Sequence, residues 1–247
     1  MKLRNTLAVA GVVALGLAAA SAANAASYTD GSLTANFSFA QNYGGTIETF
    51  NELTPSSVNG SGYNSGATGG PYSVFGGVGT LSLNGAQIVN GSASGEYAAP
   101  NPFVPTTSNY VSVYGGGSAT FSLTQGASAF ALEWGSVDPS NSLSFYGKNG
   151  NLLGTVTGTN IVATLAGVNT TGGPGSGTNW NPGGTIYANI VSSAPIFSVV
   201  IGSGQNSFEL GPAAISAVPL PAALPLFAAA LAGIGGLGWV GKRKTRA

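Results

Sequence analysis

The feature that most constrains the fold is an alternation of apolar and small polar residues in short segments through the middle of the chain. In SLTANFSF, the apolar residues Leu33, Ala35, Phe37 and Phe39 occupy every second position. A period of two with aromatic and β-branched residues is typical of half-buried strands. The same period recurs at Val78–Leu83, Tyr110–Tyr114, Ala119–Leu123, Phe130–Trp134, Leu143–Phe145, Ile186–Ile190, Ile196–Val200 and Phe208–Leu210.

Turn-forming residues separate these segments. They are Asn84-Gly85, Gly115-Gly116-Gly117, Asn149-Gly150 and Gly172 to Gly177. Asn149-Gly150 favours a type I′ hairpin turn, because both central residues of that turn need positive φ. Longer loops are expected at Asn51–Pro71 and Gly172–Gly184. Many short strands and no convincing helix predict an all-β, jelly-roll-like β-sandwich over residues 26–217.

The distribution of charge excludes several classes of function. Only 6% of the 247 residues are charged, and the chain contains no Cys and no His. Between the two ends, Lys148 is the single basic residue against seven acids, which gives the middle a net charge of −6. Such a surface argues against nucleic-acid binding. Without Cys or His, thiol catalysis, the His-based serine triad and the usual zinc sites are excluded, and we expect no cofactor and no metal.

The first 25 residues have the three parts of a secretory signal peptide. Lys2 and Arg4 precede an apolar run at Thr6–Ala20, and Ala23-Asn24-Ala25 supplies the small residues that a signal peptidase requires. We therefore expect an N-terminal signal helix, with cleavage after Ala25 or, as a second choice, after Ala22. The alternative is a retained membrane anchor, although the apolar run is shorter than the roughly 20 residues of a membrane-spanning helix.

The last 30 residues (218–247) have the composition of a membrane-sorting tail. Val218, Pro219, Leu220, Pro221 and Ala222 precede an uncharged apolar stretch that ends at Gly241, and a basic cluster follows it. The stretch is long enough for a transmembrane helix, and the basic cluster places its end on the cytoplasmic side. The two prolines keep the five-residue strip extended, where a processing enzyme could bind it.

These three parts, in this order, resemble the VPLPA variant of the PEP-CTERM sorting signal. The resemblance implies recognition by an exosortase, a membrane enzyme that removes the tail. It also implies anchoring in the cytoplasmic membrane before processing, and then a location in the cell envelope, on the outer surface or in the extracellular matrix. The alternative is a plain C-terminal anchor that is not removed.

One internal segment also carries a resemblance. In ALEWGSVDPSNSLSFYG, the pattern of Trp134, Gly135, Ser136, Asp138 and Asn141 is similar to a family of cyanobacterial and proteobacterial exosortase-dependent surface proteins. From the residues alone, Asp138-Pro139-Ser140-Asn141 predicts a β-turn. A calcium site was the alternative, but Glu133, Asp138 and Asn141 supply too few oxygens for that ion. Ser207–Leu210 resembles the F-E-[IL] strand that precedes such tails, although Gly211-Pro212 stands where Asp-Asn commonly follows.

Together these observations predict an exported, structural, non-enzymatic protein of the cell surface or matrix. One alternative is a module that binds exopolysaccharide through Trp180, Tyr72 and Tyr97, although Trp180 could equally cap the end of the domain. A lower alternative is a cryptic glycoside hydrolase, which would need two facing carboxylates such as those of Glu48 and Glu133. The expected partners are signal peptidase, the exosortase and the membrane before processing, and the alternative function adds an exopolysaccharide.

Overall fold

A computed structural model describes residues 26–39, 43–54, 68–100, 108–168 and 184–218. The ten strands are β1 Ala26–Asp30, β2 Leu33–Ser38, β3 Thr46–Glu48, β4 Thr68–Val74, β5 Gly79–Val89, β6 Tyr110–Gly135, β7 Asn141–Tyr146, β8 Leu152–Thr157, β9 Ile186–Ser203 and β10 Phe208–Ala217. One helix, α1 (Gly158–Leu165), and a 3₁₀ turn at Phe75–Gly77 complete the described elements. The all-β prediction is confirmed, because all nine alternating segments overlap strands.

All ten strands are linked in one hydrogen-bonded sheet, and the two longest strands join its two parts. The first part of β6 and the last part of β9 belong to the order β4-β5-β6-β9-β7-β8. The last part of β6 and the first part of β9 belong to the order β3-β10-β6-β9-β2-β1. The pairing of β6 with β9 shifts register between Ser122 and Ala129, where the neighbours change.

The long ribbon of β6 and β9 folds back on itself. Leu210 of β10 lies opposite Val111, near the start of β6, and also opposite Trp134, near its end. Extended strand of 23 residues would separate Val111 from Trp134 by roughly 75 Å, whereas two strands on either side of a third lie about 10 Å apart. The ribbon must therefore bend between its two parts, at Thr124–Gly126 of β6 and beside Pro195 of β9.

A continuous apolar core lies inside this fold. Phe121 packs on Phe130 with ring centroids 5.4 Å apart, and Phe130 packs on Phe145 at 6.2 Å. Phe75 joins the same group at 5.5 Å from Phe121. All four rings are at most 1% exposed. Phe121 lies before the bend of β6 and Phe130 after it, so these ring contacts hold the two parts of the ribbon together.

Two glycine-rich segments that the sequence predicts as breaks lie inside strands instead. Asn84-Gly85 is part of β5, and Gly115-Gly116-Gly117 is part of β6. The register shifts from Asn84 opposite Ser118 to Ala86 opposite Val113, which makes a bulge between the two strands. A Cβ on Gly117 would lie 2.1 Å from the Gly85 carbonyl oxygen. Glycine is needed here because the backbones of β5 and β6 approach each other closely. Neither segment ends its strand.

The hairpin at residues 147–151 is confirmed, but its predicted turn type is wrong. Gly150 N–H donates to the Gly147 carbonyl at 3.0 Å, and Gly147 N–H donates to the Asn151 carbonyl at 2.9 Å. Gly150 has φ of 76°, whereas Asn149 is not among the described residues with positive φ. A type I′ turn needs positive φ at both residues, so this is the three-residue loop in which glycine follows a type I turn.

The helix α1 was not expected from the sequence. Its N-cap is Thr157, whose side chain accepts a hydrogen bond from Asn160 N–H at 3.2 Å, and Asn160 Oδ1 accepts from Thr157 N–H at 3.0 Å. Ile161 and Leu165, four residues apart, are both buried. The predicted loop at Asn51–Pro71 also needs correction at its end, because β4 begins at Thr68.

The predicted signal helix and transmembrane helix lie outside the described residues. Within the described ranges, no helix is long and apolar enough to cross a membrane.

Gly158 provides a test of how α1 is joined to the sheet. A Cβ at Gly158 would lie 1.7 Å from the Asp138 carbonyl oxygen. Gly158→Ala therefore forces the start of α1 away from the turn that begins at Asp138. We expect it to lower the free energy of unfolding by about 1–3 kcal/mol, as overpacking does. Chemical denaturation measures the loss. Gly44→Ala is the matched control, because its Cβ would meet only Ser216 Oγ at 3.9 Å. Equal stabilities of the two variants would contradict this packing.

Candidate functional site

The two segments that carry the family resemblance inside the domain meet at the start of β10. Glu209 lies opposite Ser112 on one side and Gly135 on the other. A Cβ at Gly135 would lie 3.1 Å from the Glu209 Cβ and 3.1 Å from the Pro100 Cβ. The glycine of the motif therefore allows the end of β6 to pack directly against the start of β10.

Trp134, the first residue of the motif, belongs to the core. Its side chain is fully buried and stacks on Phe208, with ring centroids 4.4 Å apart and an interplanar angle of 19°. Offset stacking of this kind adds about 0.5–1.5 kcal/mol to the burial of the rings. Trp134 thus fixes the position of β10 and is not available to a ligand.

The predicted turn at residues 138–141 is confirmed. Asn141 N–H donates to the Asp138 carbonyl at 3.0 Å. The Asn141 side chain, 1% exposed, donates through Nδ2 to the Ser136 carbonyl at 2.9 Å and accepts from Ser203 Oγ at 2.8 Å. Ser136 itself has φ of 47°, a conformation that non-glycine residues rarely adopt. Asn141 therefore holds the backbone of Ser136 in place from within the domain.

This turn forms one wall of an open cleft of about 410 Å³. We call it the acidic cleft, because three carboxyl-bearing residues lie along it. Its lining consists of Ser92, Ala93, Ser94, Gly95, Glu96, Tyr97, Ala98, Ser136, Asp138, Asn206, Ser207 and Glu209. Two members of the motif, Ser136 and Asp138, thus face the same cleft as Ser207 and Glu209. No basic residue is part of this lining, so the cleft disfavours anionic ligands.

Glu209 is the most buried acid of the cleft, with 1% of its surface exposed. Its Oε1 accepts from Ala98 N–H at 3.0 Å and lies within hydrogen-bond reach of Ser207 Oγ. Burial raises the pKa of Glu209, and the hydrogen bonds from Ser207 and Ala98 offset part of that rise. The Ser207 hydroxyl also donates to the Glu96 carbonyl at 2.7 Å. A hydroxyl has one proton, so both Ser207 contacts are satisfied when the Glu209 carboxyl is protonated.

Asp138 is half-buried at the wall of the cleft, and burial raises the pKa of its carboxyl as well. A hard cation requires ionised carboxylates and six to eight oxygens. Across the part of the chain that the structure describes, no three acids are grouped to hold a metal ion. The role that the structure gives Asp138 is that of the first residue of the turn.

Glu48 has a structural role that the sequence did not reveal. Its Oε1 accepts from Phe50 N–H at 2.9 Å, and its Oε2 accepts from Phe75 N–H at 3.0 Å. Phe50 and Phe75 have positive φ, 60° and 54°, and both rings are buried against Phe121. Positive φ is costly for a bulky residue and persists only where the surroundings enforce it. One carboxylate therefore stabilises two strained positions of the core.

Glu133 lies on the other face of the sheet from Glu48. Glu48 pairs with Ala213, which pairs with Leu132, and directly opposed residues share a face. Glu133 follows Leu132 and therefore points to the opposite face. The Glu48–Glu133 pair considered for a glycoside hydrolase is not brought together, because two catalytic carboxylates must face one bond.

Glu133 is a buried acid whose two carboxyl oxygens have no hydrogen-bond partner. It is 1% exposed, and burial raises its pKa from 4.5 to about 8. It lies opposite Tyr187 of β9. Tyr187 packs in a small apolar cluster with Ala131 and Ala214. At neutral pH the carboxyl is therefore held largely in its uncharged form.

The sequence identified Trp180, Tyr72 and Tyr97 as possible sugar contacts. Trp180 lies outside the described residues. Tyr72 and Tyr97 are half-buried, and Tyr97 packs edge-on against Tyr110 at 6.3 Å and 68°. Among the residues whose surroundings are described, no aromatic side chain is exposed. A coplanar row of exposed rings, the feature expected of a sugar-binding face, is therefore not formed by these residues.

The predicted processing sites fall largely outside the described residues. Ala23 and Ala25 of the predicted signal cleavage site lie there, as do Pro219, Leu220, Pro221 and Ala222 of the predicted sorting motif. Val218, the first residue of that motif, is described and is 39% exposed. Its N–H donates to the Gly126 carbonyl at 3.4 Å, so it directly continues β10.

Comparison with known proteins finds no matching family model and no significant match among curated proteins or solved structures.

Glu48→Gln tests the role of the Glu48 carboxylate. The amide keeps one oxygen but turns an N–H donor toward one of the two backbone N–H groups. We expect a loss of about 1–3 kcal/mol in the free energy of unfolding, as when a buried donor loses its acceptor. Urea denaturation measures it. Glu52→Gln is the control, because Glu52 is exposed and only four residues away. A Glu48→Gln variant as stable as this control would disprove the role.

Glu133 predicts a specific dependence of stability on pH. Its pKa is about 8 in the folded protein and near 4.5 when unfolded, so its contribution is complete below pH 4.5 and is lost as pH rises through 8. The loss is on the order of a few kcal/mol. Glu133→Gln remains uncharged, so its stability relative to the unaltered protein should rise between pH 4.5 and 8. Denaturation midpoints at pH 4, 6 and 9 measure this, and parallel pH profiles would refute it.

Proposed function

We propose that the chain is an exported structural protein of the bacterial cell surface or extracellular matrix, delivered through a C-terminal sorting signal. In this proposal signal peptidase releases residues 1–25. The apolar segment after Ala222 holds the protein in the cytoplasmic membrane until an exosortase removes the tail. Residues 26–217 form the part that functions outside.

The observation that carries the proposal is the position at which β10, the last described strand, ends. β10 is a paired strand up to Ala217, opposite Ala127, and Val218 follows at the surface. The sorting motif begins at that same residue. A processing enzyme could therefore bind the extended Val218–Ala222 strip without opening the domain, and the domain keeps all its strands when the tail is removed.

The use of the acids supports a non-enzymatic role. Asp30 accepts from Thr155 N–H at 2.8 Å, Glu48 accepts from two backbone N–H groups, and Glu209 accepts from Ala98 N–H. Each of these acids accepts at least one backbone N–H, and among the described residues neither carboxyl oxygen of Glu133 has a hydrogen-bond partner. Catalytic carboxylates would instead need to reach a substrate bond within hydrogen-bond distance.

We also propose that the domain is a β-sandwich of jelly-roll type. The two six-strand orders, joined by the bent β6–β9 ribbon, supply two layers, and the Phe121–Phe130 contact connects residues before and after the bend. An experimental structure with a different arrangement of these orders would overturn this part of the proposal.

Mass spectrometry of the protein from its native envelope tests the sorting proposal. We expect an N-terminus at Ala26 and a C-terminus close to Pro221, and covalently added glycan would give further mass. A Pro219→Ala/Pro221→Ala double variant should keep its tail, because the strip is no longer held extended. The proposal fails if the unaltered protein carries residues 222–247 in the mature envelope.

A further inference from the structure

The domain has two distinct ends, and β10 runs from one to the other. Its first residues, Phe208 to Leu210, line up with both ends of β6 beside the acidic cleft. Its last residue, Ala217, lies opposite Ala127, next to the bend of β6. Nine residue steps of strand span about 30 Å. We call these the cleft end and the bend end, the latter defined by Thr124–Gly126 and Pro195.

The tip of the β7–β8 hairpin lies at the bend end. A Cβ on Gly126 would lie 2.7 Å from the Pro195 Cβ and 3.0 Å from the Phe197 ring. The Lys148 ammonium lies over that same ring, 6.0 Å from its centroid. Val218 also belongs here, through its bond to the Gly126 carbonyl.

The two ends differ in charge and polarity. The bend end carries Lys148, the single basic residue of the exported domain, and two exposed apolar side chains, Leu152 (58% exposed) and Val218 (39%). Asp30, at the β1–β2 turn near Ser193, has its carboxylate bonded to Thr155 N–H, so this end carries one acid against its one lysine. The cleft end carries the three carboxyl-bearing residues of the acidic cleft.

From this polarity we propose that the bend end is a membrane-docking surface, which rests against lipid headgroups while the acidic cleft points away from the membrane. This proposal rests on the sorting function proposed above. The lysine attracts headgroup phosphates, and the exposed Leu152 and Val218 enter the interfacial region. An acid-lined surface would be repelled by the same phosphates.

The length of the connection makes this docking obligatory for the anchored form. Ala222, where the apolar segment begins, is four residue steps after Val218, and four extended steps reach at most about 14 Å. The interfacial layer on each side of the hydrocarbon occupies roughly 5–8 Å of that distance. The bend end therefore stays at the headgroups, and the cleft lies about 30 Å further out.

The absence of cysteine from the chain allows a clean test. Gln125→Cys and Asn149→Cys place one reactive thiol at the bend end, and Ser94→Cys places one at the cleft rim. All three positions are exposed. The full chain is expressed for export in a bacterial host that leaves the tail attached. Right-side-out membrane vesicles are then labelled with a thiol-reactive fluorophore, and a nitroxide quencher is introduced on the lipid headgroups.

We expect severalfold stronger quenching at positions 125 and 149 than at position 94. Equal quenching at the three positions, or stronger quenching at position 94, would overturn the docking orientation while leaving the sorting proposal intact. If the labelled protein is released from the vesicles by carbonate washing, the anchored intermediate does not exist, and the sorting proposal fails together with the orientation. Far-UV circular dichroism of each variant confirms that the fold is retained.

Discussion

The fold depends on one strand that is paired with two parts of another. The start of β10 lies between the two ends of β6, with Leu210 opposite both Val111 and Trp134. This double pairing brings together segments that are far apart along the chain, and the Trp134–Phe208 stack lies beside it. Much of the sheet therefore depends on β10, which is the last described strand and ends at Ala217. Truncation before β10 would leave the backbone groups at both ends of β6 unpaired, at a high cost in free energy.

A low-charge sequence uses its few carboxylates in an unusual way. Asp30, Glu48 and Glu209 accept hydrogen bonds from backbone N–H groups. Each joins segments that are distant in sequence, as where Glu48 bonds to Phe75 and Glu209 to Ala98. A hydrogen bond of this kind contributes about 0.5–1.5 kcal/mol, or about 1.5–3 kcal/mol where the acceptor is charged. The carboxylates thereby serve a purpose for which many exported proteins use disulfides.

The strands were predictable because one face of each is buried in a common core. The period of two at Leu33–Phe37 and Ala119–Leu123 expresses that burial directly. Strands β1, β3 and β4 were not predicted, and β8 was implied only by the hairpin turn before Leu152. Three residues, as in β3, or a run such as LLGTVT in β8, show too little alternation. The helix α1 could have been found from Thr157 at its cap, the Ile161–Leu165 spacing and the following Gly167, which has φ of 77°.

The candidate site was predictable only in part. The turn at Asp138–Asn141 follows from Pro at its second position, and the structure confirms it. That Glu209 and Glu96 would join Asp138 in one cleft depends on the pairing of β10 with β6, and no local pattern shows a contact across about 70 residues. The same holds for Glu48, whose side chain accepts two backbone hydrogen bonds. The sequence does not distinguish a solvent-exposed acid from one that binds backbone N–H groups inside the domain.

The placement of Lys148 has a consequence for the resistance of the domain to proteases. It is the single residue between Arg4 and Lys242 after which a trypsin-like protease can cut. A cut in that exposed hairpin would break the covalent connection between β7 and β8. The two strands would stay together, because β7 remains hydrogen-bonded to β8 and β9. The nicked domain would keep its sheet in two interlocked fragments. A scarcity of lysine and arginine thus limits cleavage of residues 26–217 by trypsin-like proteases to one position.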